Sequence, residues 1–319
     1  MTPALTVIVP GFDVGPWAEE ALASLRAQSF RDWRAVLVDD GSTDDTPEIF
    51  ARAAAEDDRF RVIRHPRQRG LAAARNTGLA AVDTPYLAFL DGDDRFTPTA
   101  LERLLTVLDD TGSDFVAGAY VRLRPAPPAA PDGPVSYTPG TVQPWVAAAT
   151  DPERRRTSLD EHPAASGNIV AWSKVSRRDF WQRAGLSFPE GRLYEDQILA
   201  QRMYAAARSF DVIPDVVVEW RERADGSSIT QHREALPVLR DYLDGLRGGL
   251  EVLDAAGRPA AVRARIELIM TLDLPPLVTI ARTHPDDAYR RALGAFVREL
   301  QSRGSARLLT AEQSAAALW

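Results

Sequence analysis

The chain has 319 residues, 45% of them hydrophobic and 26% charged, which is enough to bury a sizeable core in one large domain or two modest ones. Its net charge of −7 argues against a nucleic-acid partner, because no basic surface could dominate the field of the molecule. The absence of cysteine excludes disulfides and thiolate metal sites. With no signal-peptide pattern and no apolar run of membrane-spanning length, the sequence predicts a soluble, cytoplasmic protein.

The first hundred residues alternate strand and helix patterns, which is typical of a parallel α/β sheet with helices on its faces. Apolar runs predict strands at 5–9, 35–38, 61–63 and 86–90. Helical spacing and capping residues predict helices at 16–29, from about 44 to 55, at 70–82 and from about 97 to 108.

The rest of the chain divides by composition. Residues 122–144 hold seven prolines, which predicts a loop or flap rather than sheet interior. Regular structure is expected again around 169–172 and 179–184, with a strand at 216–218. From residue 232 to the end the pattern is helical, as the apolar spacing of Tyr289, Leu293 and Phe296 indicates.

Carboxylates cluster directly after the fourth predicted strand, at Asp91, Asp93 and Asp94. In an open α/β sheet this edge is where ligands bind. Mg²⁺ and Mn²⁺ prefer oxygen ligands and bridge phosphate oxygens readily, so the cluster favours a metal-assisted site for a phosphorylated substrate. Gly92 allows a tight turn and the close approach of a ligand. The alternative is a plain acidic turn between a strand and a helix.

A second acidic turn, Asp39 to Asp44, follows the second strand at the same edge. A carboxylate there could accept hydrogen bonds from a base or from ribose hydroxyls, and repetition of the acid-glycine pattern favours binding for Asp40. For Asp44, helix capping is the better interpretation.

Three further stretches could contribute to a site. Arg75 offers a guanidinium suited to a diphosphate or to a carboxylate of the site, although a solvated helix arginine is the plain alternative. Glu195 and Asp196 open a helix, where they either favour the helix dipole or supply a base for an acceptor hydroxyl. Arg223 and Ser228 lie in a loop that could enclose a diphosphate or be a surface turn.

Taken together and in order, these motifs resemble the GT-A glycosyltransferases of family 2. The matching segments are Val9–Asp13, Val38–Asp44, Gly70–Gly78, Asp91–Asp93 and Glu195–Asp196. The likeness covers residues 5–120 and 164–231. It implies a GT-A fold with a Rossmann-like, mostly parallel central sheet flanked by helices. The catalytic domain would be 1–231, with a nucleotide-sugar-binding half (1–120) and an acceptor-binding half (121–231), and 232–319 would be a C-terminal helical region.

The resemblance also implies roles for individual residues. Pro10, Phe12 and Asp13 would line the nucleoside pocket, and Asp40 would read the base, usually uracil. Arg75 would neighbour the base or phosphates, Asp91 the ribose and metal, and Asp93 would coordinate Mg²⁺ or Mn²⁺. Asp196 would be the catalytic base, with Glu195 orienting the acceptor. The stretch Arg223…Gly226…Ser228 resembles the diphosphate loop of wall-polymer-modifying members, with Gly226 where a histidine is frequent, and Gln68 replaces a frequent asparagine.

The expected activity is an inverting, metal-dependent transfer of one hexosyl or N-acetylhexosaminyl group from a nucleotide-diphosphate sugar, with a UDP-sugar preferred. The acceptor would be a hydroxyl of a glycan, a polyol-phosphate polymer or a small molecule, and peripheral contact with the inner membrane face would be compatible with that role. A non-catalytic nucleotide-sugar-binding protein on the same fold is the alternative. A dinucleotide-dependent dehydrogenase is excluded, since residues 10–13 lack its glycine motif. A nucleotidyltransferase would need a glycine-rich basic loop near the first strand, which is missing.

Overall fold

Strands and helices alternate along the first part of the chain, as the sequence predicts. The structure is a computed structural model, and it describes residues 4–126, 135–226, 232–305 and 309–319. The first elements are β1 (Leu5–Gly11), α1 (Gly15–Arg26), β2 (Trp33–Asp39), α2 (Thr46–Glu56), β3 (Phe60–Arg64), α3 (Leu71–Ala80), β4 (Tyr86–Phe89), β5 (Arg95–Phe96) and α4 (Ala100–Thr111).

The second part of the sheet follows, and then a helical region. The elements up to residue 221 are β6 (Phe115–Ala126), β7 (Ser136–Pro139), α5 (Pro144–Thr150), β8 (Arg154–Thr157), a 3₁₀ turn (Pro163–Gly167), β9 (Lys174–Arg177), α6 (Arg178–Arg183), α7 (Asp196–Ala206) and β10 (Phe210–Arg221). The helical region contains α8 (Leu236–Ala255), α9 (Pro259–Leu268), α10 (Leu274–Thr283), α11 (Asp287–Leu300) and α12 (Ala311–Ala316), with π-helical turns at Ile269–Asp273 and Gln301–Ser305.

The described strands form one mixed sheet in the order β3-β2-β1-β4-β9-β6-β10-β5, with β7 added to β6 and β8 to β10. The strands β3, β2, β1 and β4 run parallel, and so do β6 and β10. Antiparallel β9 joins the two groups through β4 and β6. Because β1, β2 and β4 are parallel, the turns after them meet at one edge of the sheet, and this brings the acidic motifs together.

Helix α3 packs closely on β1, next to the sheet edge where these turns meet. A Cβ atom at Gly78 would lie 2.3 Å from Ile8 Cγ2, so only glycine allows the helix to approach so closely. The strands β1 and β2 are buried almost throughout, which explains their continuous apolar runs.

The helical region shares the hydrophobic core of the sheet region. Buried side chains from α8 to α12 join the same continuous cluster as those of the strands. The two adjacent prolines at 275 and 276 lie at the start of α10, directly after the π-helical turn Ile269–Asp273, where the helical hydrogen-bond pattern changes. Among the described residues, no helix is long and apolar enough to cross a membrane.

Two local predictions are wrong. Residues 122–144 are not all irregular, because β6 continues to Ala126 and β7 returns antiparallel to it, with Pro125 opposite Tyr137. Prolines are tolerated there since this hairpin lies at the margin of the sheet. Residues 169–172 are not regular structure either: the nearest strand, β9, begins at Lys174, and side chains hold the preceding backbone.

Candidate functional site

A cleft of about 360 Å³ opens where the turns after β1, β2 and β4 meet. Its wall is formed by Pro10, Gly11, Phe12, Val14, Asp40, Gln68, Leu71, Ala74, Asp91, Gly92, Asp93, Trp220 and Arg223. This set includes seven of the residues predicted for the site. A more open hollow of about 730 Å³ lies by Arg26 and residues 54–59. Its charged side chains pair with one another, as Arg59 does with Asp57, so the acidic cleft is the better candidate.

The other predicted residues lie elsewhere. Asp13, Arg75, Glu195 and Asp196 are not part of the cleft wall, and Ser228 lies outside the described residues. Trp220 is a wall residue that sequence reasoning did not single out, although its place at the end of β10 beside Arg223 is a signal that could have found it.

Gly92 is required by a close backbone approach. Its N–H donates to the carbonyl oxygen of Pro10 at 3.1 Å, and a Cβ atom at this position would lie 2.9 Å from that same oxygen. The turns after β1 and β4 can therefore meet only around a glycine. Asp91 and Asp93, on either side of this glycine, line the same cleft as Phe12.

Asp40 is buried, with 2% of its surface exposed, and its carboxylate holds the loop before α3. It accepts hydrogen bonds from Arg69 N at 3.0 Å and from Gly70 N at 2.7 Å. His65 Nδ1 lies 2.6 Å from the same carboxylate, and its Nε2 lies 2.9 Å from Thr77 Oγ1. The structure thus gives Asp40 a loop-anchoring role in addition to its place in the cleft wall. No sequence motif pointed to His65.

Asp13 and Asp44 tie the turns after β1 and β2 to each other. Asp13 has a positive φ of 48°, and its carboxylate accepts a hydrogen bond from Thr43 N at 2.8 Å. Asp44 accepts from Gly15 N and from Thr46 N, at the starts of α1 and α2. Asp44 therefore holds the first amide of each helix, although the N-cap of α2 is Asp45, whereas the carboxylate of Asp13 is directed to the neighbouring turn.

The guanidinium of Arg75 joins three carboxylates. Its Nη2 lies 2.7 Å from Asp91, and its Nη1 lies 2.8 Å from Glu195 and 2.7 Å from Asp196. The side chain is 1% exposed. Of the two ligands that the sequence allows for Arg75, the structure shows carboxylates of the site. A single arginine among the small residues at the start of α3 is a signal for this role, but the sequence does not identify its partners.

Burial and charge shift the pKa values of this cluster. Burial alone would lower the pKa of the Arg75 guanidinium, but the three carboxylates raise it above its ordinary value, Asp196 most strongly. Burial raises the pKa of Glu195 to about 7, against the opposing effect of Arg75. At neutral pH, Glu195 is therefore partly protonated beside Asp196.

Asp196 has a second contact, made by an irregular segment before β9. Ala171 N donates to Asp196 Oδ2 at 3.3 Å. Lys174, the only lysine in the chain, holds this segment by donating to Asn168 O at 2.9 Å and to Val170 O. Burial lowers the pKa of Lys174 to about 7. The sequence offered no reason to place Lys174 near the site.

Asp93 pairs with Arg223 in the cleft wall. Arg223 Nε donates to Asp93 Oδ2 at 2.8 Å, and its guanidinium lies over the ring of Trp17 at 4.5 Å. Burial, aided by the neighbouring charge of Asp91, raises the pKa of Asp93 despite the attraction of Arg223. The buried Arg221 donates through Nε to the backbone oxygen of Asp93 and through its N–H to Asp94, which fixes the acidic turn.

These acids fit a divalent cation that binds together with a ligand. Among the described residues, no group of three or more Asp, Glu or His side chains is arranged to hold a metal ion alone. Mg²⁺ and Mn²⁺ commonly bind one or two carboxylates and complete their shell with phosphate oxygens and water. Asp93, partly exposed in the cleft wall, offers a hard oxygen ligand for such an ion, and Asp91 lies two residues away.

Comparison with known proteins agrees with this geometry. Residues 6–129 match the family model described as glycosyl transferase family 2. The uncharacterized glycosyltransferase EpsJ of Bacillus subtilis is 29% identical over 237 residues. That match covers 74% of this chain and 66% of EpsJ, so the chain spans just under two thirds of that relative.

Two solved structures have the same architecture. Staphylococcus aureus TarS 1-349 in complex with UDP-GlcNAc superposes with a TM-score of 0.73 at 18% identity, covering 96% of this chain and 83% of that one. The mannosyltransferase PcManGT from Pyrobaculum calidifontis, in complex with GDP-Man and Mn²⁺, gives 0.55 at 18% identity, covering 100% of this chain and 87% of that one. Residues 6–129 are therefore similar to glycosyl transferase family 2, and the chain has the GT-A fold.

Proposed function

We propose that the protein is an inverting glycosyltransferase that moves one sugar from a nucleotide-diphosphate donor, preferably a UDP-sugar, to an acceptor hydroxyl. One observation carries this proposal: Arg75 connects Asp91, in the wall of the nucleotide cleft, to Asp196, the candidate base. Direct displacement at a sugar carbon requires a base that can reach the acceptor hydroxyl beside the donor, and the shared contact with Arg75 keeps Asp196 next to the cleft.

Different residues of the cleft would bind different parts of the donor. Pro10 and Phe12 would hold the base and ribose, near Asp40. Arg223 would bind the diphosphate, since a guanidinium forms paired hydrogen bonds with phosphate oxygens. A divalent ion at Asp93, when bound, would neutralise charge on the departing diphosphate. The complexes of TarS with UDP-GlcNAc and of PcManGT with GDP-Man and Mn²⁺ support a nucleotide-sugar donor and a divalent ion in this fold.

The reaction would be a single displacement. Asp196 would accept the proton of the acceptor hydroxyl while the acceptor oxygen forms its bond to the anomeric carbon. The bond from that carbon to the diphosphate oxygen breaks, and the electron pair leaves with the nucleoside diphosphate. Asp196 suits this role because its Oδ1 is held by Arg75, while its Oδ2 accepts, among the described residues, the weaker contact from Ala171 N at 3.3 Å. Positioning and charge stabilisation would supply most of the rate.

The acceptor would be a glycan or polyol-phosphate hydroxyl in cell-surface polysaccharide or wall-polymer synthesis. The loop from Arg223 to Gly226 supports this class through its resemblance to wall-polymer-modifying members. The acceptor would approach from the side of residues 121–231, where the ring of Trp220 lines the cleft wall. Aromatic faces of this kind suit the apolar faces of sugars.

The test is a panel of UDP- and GDP-sugars with Mn²⁺ or Mg²⁺, assayed first for donor hydrolysis and then for transfer. Asp196→Asn should reduce turnover by about 10²–10⁴-fold, the usual contribution of a positioned base. Nucleotide affinity, measured by titration calorimetry, should be nearly unchanged. Retained turnover in Asp196→Asn would reject the assignment of the base. Nucleotide-sugar binding by the wild type without any hydrolysis or transfer would instead favour the non-catalytic alternative.

A further inference from the structure

The backbone just before the acidic pair is held in an unfavourable conformation. Tyr194 has a φ of 59°, in the left-handed region that residues with a Cβ atom rarely adopt. Such a conformation persists only where the surrounding structure over-determines it. Glu195 and Asp196 follow directly, at the start of α7. The contacts that hold the backbone of Tyr194 in this conformation therefore also determine where Glu195 and Asp196 are placed.

Helix α8 of the C-terminal helical region makes the contacts that hold this backbone. Asp241 Oδ2 accepts a hydrogen bond from Leu193 N at 3.0 Å. The rings of Tyr242 and Tyr194 pack with their centroids 4.5 Å apart. A Cβ atom at Gly245 would lie 3.3 Å from the carbonyl oxygen of Tyr194, so the helix backbone approaches very closely here.

The same face of α8 continues along α7 beyond the acids. A Cβ atom at Gly248 would lie 2.8 Å from Ile198 Cδ1, and one at Gly249 would lie 3.3 Å from Gln197 O. From α9, the buried Arg265 donates to Gln197 Oε1 at 2.8 Å. The backbone is thus held by the helical region on both sides of Asp196, whereas the carboxylate itself contacts Arg75 and Ala171.

We propose that α8 is a positioning element for the catalytic acids, and that Asp241 is a positioning residue which fixes the entry of the chain into Glu195 and Asp196. The inference rests on the proposed function, since it assigns Asp241 a part in that reaction. Asp241 acts through the Leu193 amide and through the conformation of Tyr194, and it touches neither donor nor acceptor. A displacement of a catalytic group by about 1 Å can cost about 10²-fold in rate, so a remote hydrogen bond of this kind can control turnover.

The test compares three variants of the full chain. Asp241→Ala removes the acceptor, Asp241→Asn keeps an oxygen that can accept from Leu193 N, and Asp244→Ala is the matched control. Asp244 lies on the same helix, but its carboxylate is exposed and pairs with Arg247. We expect Asp241→Ala to lower kcat about 10- to 100-fold with the KM for the donor unchanged. Asp241→Asn should restore most of the rate, and Asp244→Ala should match the wild type.

Hydrogen exchange adds a readout that does not depend on activity. The amide of Leu193 and those at the start of α7 should exchange faster in Asp241→Ala than in Asp244→Ala. If Asp241→Ala does not fold, Gly245→Ala takes its place, because its Cβ atom would crowd the Tyr194 carbonyl oxygen at 3.3 Å and should likewise lower kcat selectively.

The two proposals fail in different ways. An active wild type together with an unchanged kcat in Asp241→Ala, or equal loss in Asp241→Ala and Asp244→Ala, overturns the positioning role alone. A wild type that transfers no sugar from any donor overturns the proposed function, and with it the role of Asp241.

Discussion

Asp91 and Asp196, 105 positions apart in the chain, share the single guanidinium of Arg75. Nη2 of the arginine lies 2.7 Å from Asp91 Oδ1, and Nη1 lies 2.7 Å from Asp196 Oδ1. The same Nη1 also contacts Glu195 at 2.8 Å. The arginine is buried, so water screens the three neighbouring carboxylates only weakly. The positive charge of Arg75 therefore reduces the repulsion between these carboxylates.

Replacing Arg75 should therefore damage both stability and transfer. In Arg75→Met the carboxylates lose their shared cation, and removal of one partner from a buried ion pair typically costs about 3–5 kcal/mol. Arg75→Lys should recover only part of this, since an ammonium group lacks the planar fork that reaches both sides. Chemical denaturation and the transfer assay measure the two effects. Arg69→Met, whose side chain is about half exposed, is the control and should change little. Wild-type stability in Arg75→Met would contradict the proposed charge balance.

Glu195 predicts a pH dependence of stability. Its pKa of about 7 in the folded protein lies above its ordinary value of 4.5 because the carboxyl group is buried. Between these values the folded protein binds more protons than the unfolded chain, so this group makes the free energy of unfolding fall as pH rises. The largest slope from one such group is about 1.4 kcal/mol per pH unit.

Glu195→Gln should remove this part of the slope. Unfolding free energies of wild type and variant should be similar near pH 4, where Glu195 is largely protonated in both the folded and the unfolded chain. They should separate as the pH rises from about 4.5 to about 7, with the variant becoming the more stable. Urea denaturation at half-unit pH steps measures the difference. The other acids with raised pKa values, Asp93 and Asp94, are present in both proteins, so their contributions should largely cancel. Parallel curves from pH 5 to pH 8 would be incompatible with a raised pKa at Glu195.

The strand ends of the site could be predicted from sequence because local signals specify them. The apolar runs before Asp40 and Asp91 end where β2 and β4 end, and a parallel arrangement brings their carboxyl ends to one edge. Gly92 predicted that another group would lie close to the backbone at this position. In the structure that group is the carbonyl oxygen of Pro10. The resemblance to family 2 then supplied the fold, which the structure and the comparisons confirm.

What could not be predicted depends on contacts between distant segments. No local pattern relates Arg75 to Glu195 and Asp196, more than a hundred positions later, or His65 to Asp40. The pairing of β6 with β7 could not be predicted from the sequence because a high proline content argues against strands. The margin of a sheet nevertheless tolerates proline. The packing of α8 against the start of α7 could not be predicted either. The spacing of apolar residues predicts a helix but does not identify the segment against which that helix packs.

Asp93 should control both donor binding and metal dependence. Asp93→Asn removes the charge that attracts a divalent ion and that pairs with Arg223, so nucleotide-sugar affinity in Mn²⁺ should fall at least about tenfold, which corresponds to about 1.4 kcal/mol. The remaining affinity should depend little on Mn²⁺. Calorimetric titration with UDP, with and without the ion, gives both quantities.

Asp45→Asn is the control for Asp93→Asn. It changes an exposed acid at the same sheet edge and should behave like the wild type. Unaltered Mn²⁺ dependence in Asp93→Asn would place the ion elsewhere.

Asp40 should act on nucleotide binding through the loop that it anchors. Asp40 Oδ1 accepts a hydrogen bond from Arg69 N and Oδ2 accepts one from Gly70 N, so in Asp40→Asn an amide N–H₂ group replaces one of these acceptors and faces a backbone donor. An unsatisfied buried group costs about 1–3 kcal/mol, and the loop carries Gln68 into the cleft wall, so both stability and UDP affinity should fall.

Thr77→Val provides a graded comparison for Asp40→Asn. It removes the hydrogen bond at the far side of the His65 ring but leaves the contacts of Asp40 intact, so its effect on UDP affinity should be clearly smaller. Thermal denaturation and UDP titration of the two variants measure the series. Because the carboxylate is already engaged by the loop, we expect most of the loss to come from disorder of the loop rather than from a missing contact with the base. Faster hydrogen exchange at the Arg69 and Gly70 amides in Asp40→Asn would accompany such a loss, whereas weaker UDP binding with unchanged exchange would show that Asp40 contacts the nucleotide directly.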